Sequence, residues 1–139
     1  MYYKLSIEDN SGKKIEITDK TVIKKVDVVL FQNDNLANDR SDKIYADISI
    51  SGEIGDKSLN ETKEIFNWSK TTVKSQSYRT ISIQVYSDES MGKESFIRDF
   101  YFKEMYCFSY EEHFDNNEHG TFCLKLKQKN GEINTIVVE

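Results

Sequence analysis

The sequence predicts a mainly β, antiparallel fold: a closed or nearly closed barrel or sandwich of about nine strands with one inserted α-helix. Three observations predict it. The dominant hydrophobic period is two, the pattern of half-buried strands whose successive side chains point to opposite faces. Turn-forming clusters separate the runs, and none of the 139 residues is proline. A single segment near the middle breaks the period in favour of helical spacing.

A first strand over Tyr2–Ile7 and a second over Lys14–Thr18 flank the turn Asp9-Asn10-Ser11-Gly12. Within Val22–Gln32, Val22, Val26, Val28 and Leu30 share one face, although Val29 and Phe31 blur the alternation. Asp34–Asp42 is polar and lacks either period, and its nine residues exceed what a tight hairpin needs. It reads as a solvated loop or as a projecting contact arm. Ile44, Ala46, Ile48 and Ile50 then alternate with Tyr45, Asp47, Ser49 and Ser51.

A helix is expected over about residues 59–71, with Leu59, Ile65, Phe66, Ser69 and Val73 on one stripe and Trp68 beside it. Ser58 and Glu61 have the spacing of a capping box, which satisfies free N–H groups at a helix start. Ile81, Ile83 and Val85 alternate with Thr80, Ser82 and Gln84, and Asp88–Lys93 makes the next turn. Phe96, Phe100 and Phe102 share a face of one strand. Tyr106, Phe108, Tyr110 and Phe114 share a face of the strand after it. Asp115–Gly120 leads to Phe122, Leu124 and Leu126, alternating with Cys123, Lys125 and Lys127. Asn130-Gly131 is the strongest hairpin signal, because a type I′ turn needs positive φ at both central residues. It predicts a hairpin of Lys127–Lys129 with Glu132–Val138.

Length fits one domain over residues 1–139, without linker, low-complexity tract or repeat. The net charge of −5 argues against a general nucleic-acid binder, which needs a basic footprint. Mean hydropathy is −0.65, and no apolar run approaches the ~18 residues of a spanning helix, so no membrane insertion is expected. The start, MYYKLSIEDN, lacks a basic region followed by an apolar one, so the expectation is no signal peptide and a cytoplasmic location on synthesis. The two cysteines, Cys107 and Cys123, do not make a disulfide framework and are expected reduced.

No catalytic residue, cofactor or metal site is predicted. His113, His119, Cys107, Cys123 and Glu111 lack zinc-site spacing. On one strand Cys107 and His113 sit at opposite ends of a stretch of about 20 Å. There is no nucleophile elbow and no glycine-rich phosphate loop. The visible excess is aromatic: eight Phe, eight Tyr and one Trp. Aromatic residues carry large burial, so a core or subunit interface is favoured over a sugar- or base-stacking platform. The stripe Lys125, Lys127 and Lys129 reads as a solvated face or a blunted edge strand. The sharper option is a lumen wall or a contact with an acidic neighbour.

The second half of the chain resembles a known family. Phe66-x-Trp68 on the helix precedes Ile81-x-Ile83-x-Val85-Tyr86-Ser87-Asp88. Then come Phe100-x-Phe102 and Glu104-Met105-Tyr106-Cys107-Phe108-Ser109-Tyr110-Glu111-Glu112-His113-Phe114, followed by Thr121-Phe122-Cys123-Leu124-Lys125-Leu126. This run, about Phe66–Gln128, is similar to the Hcp-like tube proteins of type VI secretion systems, especially their short divergent forms. It also resembles the tail-tube proteins of phage-tail-like contractile injection systems. In the short forms the segment reads D-A-Y-C-x-x-Y-x-E-x-F, so Met105 stands where a small residue is usual. The first half matches in strand order alone. Phe66, Trp68, Phe102, Tyr106, Tyr110 and Phe114 correspond to the family's structural aromatics.

The resemblance implies an Hcp-like β-barrel with a helix on its side, forming six-membered rings that stack into the inner tube of a contractile apparatus. It implies a structural, non-enzymatic role, export through that apparatus, and contacts with sheath, baseplate, spike or effector cargo. In the family the long loop between early strands meets the next ring. By position, Asp34, Asn35, Asn38, Asp39 and Arg40 become the candidate ring-stacking residues. The alternative is a monomeric ligand- or carbohydrate-binding β-barrel, which needs an open aromatic-lined pocket.

Overall fold

A computed structural model of the chain describes all residues except 33–43, 89–94 and 118; of Ser75 only the backbone is described. The strands are β1 (Tyr2–Glu8), β2 (Lys14–Ile17), β3 (Ile23–Gln32), β4 (Ile44–Ile54), β5 (Arg79–Ser87), β6 (Ser95–Phe114), β7 (Gly120–Gln128) and β8 (Val137–Val138). Helices α1 (Leu59–Ser69) and α2 (Lys74–Ser77) lie between β4 and β5. All strands join one antiparallel sheet in the order β2-β1-β5-β6-β7-β4-β3, with β8 added on β6.

The strand β6 organises this sheet. The sequence predicts two aromatic strands here, and the structure has one of 20 residues. Its first half, up to Met105, pairs with β5; its second half, from Met105, pairs with β7. The change of partner occurs at a bulge where Arg79 faces Met105 and Ile81 faces Phe102. Glu104 lies there with φ of 54°, a left-handed conformation that bends the strand without ending it. Buried Gln128 braces the bend. Its amide Nε2 donates to the carbonyls of Lys103 and Glu132, and its Oε1 accepts from Ala46 N–H. The expected count of about nine strands therefore becomes eight among the described residues.

The inward faces of both sheet halves meet in one core. Ile7, Ile48, Ile50, Ile81, Ile83, Phe102, Met105, Phe122, Leu124 and Leu126 are all buried there. The expectation of a closed or nearly closed barrel is met only in part. The sheet is open, ending at β2 on one side and β3 on the other, with no ladder joining these edges among the described residues. At the β3–β4 start the chains come unusually close. A bulge between Ile23 and Lys25 places the Val22 carbonyl against Gly52, where it accepts from Glu53 N–H at 2.9 Å.

Three local expectations are corrected. The helix is present, but its buried face carries Thr62, Ile65 and Trp68, whereas Leu59 and Phe66 are exposed. Thr62 can be buried because its hydroxyl donates to the Ser58 carbonyl. Ser58 holds the N-cap position without capping: its Oγ donates to the Glu53 carbonyl and accepts from Gly55 N–H. After Asn130-Gly131 no strand pairs with β7, because β4 and β6 already occupy both its edges. The chain instead makes a 3-10 turn over Ile133–Thr135 and reaches β6, where β8 pairs with Phe100 and Tyr101.

Candidate functional site

Six aromatic residues were singled out from the sequence, and the structure distributes them over three environments. Trp68 and Phe102 belong to the core. Trp68 Nε1 donates to the Ser77 carbonyl at 3.1 Å, and the Arg79 guanidinium lies 5.2 Å over its ring. One indole thus ties α1 to α2 and to the start of β5.

Phe66 and Tyr110 form the seam between α1 and β6. Their rings meet edge to face at 6.2 Å, and Tyr110 also touches buried Phe122 at 6.4 Å. The Tyr110 hydroxyl donates to the Glu112 carboxylate at 3.2 Å, with the Thr62 carbonyl 3.5 Å away. Burial pushes the phenol well above its ordinary value, and the negative charge of Glu112 pushes it further.

Tyr106 and Phe114 belong to neither group. The sequence places Tyr106, Phe108, Tyr110 and Phe114 on one face, but a second bulge at Phe108 interrupts the alternation. Tyr106 therefore pairs opposite Lys127, and Tyr110 opposite buried Leu124. Tyr106 packs edge to face on Tyr78 at 5.8 Å. Phe114 is exposed at the end of β6, against Gly120. The proposed ring-stacking residues Asp34, Asn35, Asn38, Asp39 and Arg40 lie outside the described residues.

Sequence reasoning missed the character of the sheet edge. In β3, Val29, Leu30 and Phe31 are 51%, 61% and 50% exposed. These are apolar side chains on a strand whose outer edge has no ladder partner among the described residues. The sequence puts Leu30 on one face with Val22, Val26 and Val28, yet Leu30 is exposed while Val22 is buried, because hydrophobicity alone does not reveal which strand ends a sheet. The second half of β6 likewise has β7 on one side and, among the described residues, no strand on the other.

No three His, Cys, Asp or Glu side chains come together as a metal site among the described residues. His113 Nε2 meets Glu111 at 3.2 Å on the surface. Cys107 faces Leu126, three residues along β7 from Cys123, a separation of roughly 10 Å that no disulfide spans. Burial pushes the Cys107 thiol up to about 11, the opposite of an activated nucleophile. A cleft of 310 Å³ beside Trp68 holds Asp9, Lys13, Glu64 and Arg79. Its Asp9 carboxylate is already taken by the Ser11 hydroxyl and the N–H groups of Ser11 and Lys13.

No family model and no curated protein matches the sequence. Solved structures do match the fold. Hcp1 from E. coli EAEC 042 superposes with a TM-score of 0.65 at 14% identity, over 100% of this chain and 97% of that one. Hcp1 from Flavobacterium johnsoniae gives 0.61 at 18% identity, over 99% and 94%. A chain of the PVC sheath–tube complex, an extracellular contractile injection system in its extended state, gives 0.55 at 14%, over 99% and 88%. From end to end, then, the open sheet with its side-packed helix, eight strands among the described residues, has the fold of the Hcp proteins.

Proposed function

We propose that this chain is a structural tube subunit of a contractile injection apparatus, acting as a ring that stacks into the inner tube. The observation that carries this reading is the agreement in fold with Hcp proteins along nearly the full length of both chains. The molecular surface supports it. An antiparallel sheet with two open edges, one of them bearing Val29, Leu30 and Phe31, is suited to head-to-tail addition of a second copy. Head-to-tail contacts close into rings when the rotation between subunits permits, and six copies is the number the resemblance implies.

The role is mechanical and not enzymatic. Rings are assembled inside a sheath and driven out when the sheath contracts, which requires strong lateral contacts and a polar surface. Residues 34–40 between β3 and β4 are the proposed ring-to-ring contact, and sheath, baseplate, spike or effector proteins are the proposed partners. Light scattering behind size exclusion tests the reading, with Leu30→Lys as the probe of the edge. The natural chain is expected to run as a multimer, and the Leu30→Lys chain to fall to lower mass while remaining folded.

A further inference from the structure

The sheet half made by β3, β4, β7 and the second half of β6 carries a built row of cations on its outward face. On β7, Lys125 and Lys127 alternate with the buried Leu124, Leu126 and Gln128, so their side chains stand about 7 Å apart, and Lys129 follows directly past the end of the strand. Aromatic rings floor this line. Lys127 Nζ lies 3.9 Å from the centroid of Phe108 and 5.9 Å from that of Tyr45, and Lys129 Nζ lies 5.6 Å from that of Tyr78. None of the three lysines forms an ion pair among the described residues, although the chain carries a net charge of −5.

We propose that this lysine row docks an extended, carboxylate-rich polypeptide segment of a partner protein. Charge complementarity selects the partner: the three ammonium groups form no ion pair among the described residues, even though Asp47 stands opposite Lys127 across the β4–β7 ladder, and so remain available to a partner's carboxylates. Spacing selects its shape, because an extended segment presents alternate side chains at the same interval as β7. The cation–π contacts hold two of the ammonium groups in place before binding, which lowers the ordering cost. Exposed Phe108 beside the row adds an apolar contact. A nucleic acid fits less well, since three lysines without an arginine fork make a small footprint on a negatively charged protein. The proposal does not depend on ring formation.

Fluorescence anisotropy of the full chain with two labelled peptides tests it. One peptide alternates glutamate with serine, and the other replaces each glutamate with glutamine. The glutamate peptide is expected to bind at least about tenfold tighter at low ionic strength and to weaken as salt rises. Lys125→Ala/Lys129→Ala, checked for folding by circular dichroism, is expected to lose about tenfold in affinity for it. Equal binding of the two peptides by the natural chain would overturn the proposal whatever the variant does. So would unchanged binding by a folded double variant. Tighter binding of an oligothymidylate of equal charge would assign the row to nucleic acid instead.

Discussion

Replacing Gly52 by alanine probes the β3–β4 junction at its tightest point. A Cβ at this position falls 2.3 Å from the Val22 carbonyl oxygen and 3.0 Å from two carbons of the Phe122 ring. The oxygen belongs to backbone that already accepts from Glu53 N–H at 2.9 Å, and Phe122 is 1% exposed. Neither neighbour can swing aside, so the two strands must part by about 1 Å to restore ordinary contact. Losing the Val22–Glu53 hydrogen bond costs about 1–3 kcal/mol when a buried group is left unpaired. Crowding the core costs about 1–3 kcal/mol more. The reduced entropy of the unfolded alanine chain offsets about 0.4–1 kcal/mol of this. The expected net loss is about 2–4 kcal/mol, read as a urea midpoint lowered by roughly 1–2 M. Gly55→Ala is the control, because nothing lies within 4 Å of its Cβ position, and a change of no more than about 0.5 kcal/mol is expected. A midpoint for Gly52→Ala equal to or above that of the natural chain would refute the reasoning.

Trp68→Phe removes the bond to the Ser77 carbonyl and the larger face under Arg79. A loss of about 2 kcal/mol in denaturant unfolding is expected, and an unchanged midpoint would contradict the role given to the indole. The Asp19 carboxyl is held down at about 2, from an ordinary 3.8, chiefly by the Thr21 hydroxyl and N–H and then by Lys57. A folded pKa below the unfolded one means its stabilisation is complete above about pH 4 and is lost as pH falls toward 2. Asp19→Asn should therefore flatten the acid limb of stability between pH 4 and 2, followed by circular dichroism; parallel limbs for the two chains would exclude the effect. The half-buried Cys107 thiol, pushed up to about 11, should react with a thiol reagent at pH 8 several-fold slower than a free cysteine, and equal rates would show the site to be open.

Most of the strand pattern was legible because each half-buried strand writes its own alternation, as Ile81–Val85 and Phe122–Leu126 do. What failed was non-local. Whether Phe96–Phe102 and Tyr106–Phe114 form one strand or two depends on Glu104 adopting positive φ, which packing at the Gln128 brace makes affordable. The Asn130-Gly131 hairpin failed because β7 is interior to the sheet, a property of topology and not of the turn. The helix face was misread because Phe66 outweighs Thr62 in hydrophobicity, yet Thr62 satisfies its hydroxyl within the helix and Phe66 finds Tyr110 at the rim. The motif aromatics marked the right segment without forming a single site. The apolar edge of β3 became visible only with the strand order, since in the sequence Leu30 shares one face with Val22, Val26 and Val28.

The central claim is lateral assembly of this fold into rings. Absolute mass by light scattering behind size exclusion, across a concentration series, tests it most directly. The account predicts a species near six times the 16.2 kDa protomer, with larger stacks growing as concentration rises. A mass of 16.2 kDa that holds at every concentration would contradict it.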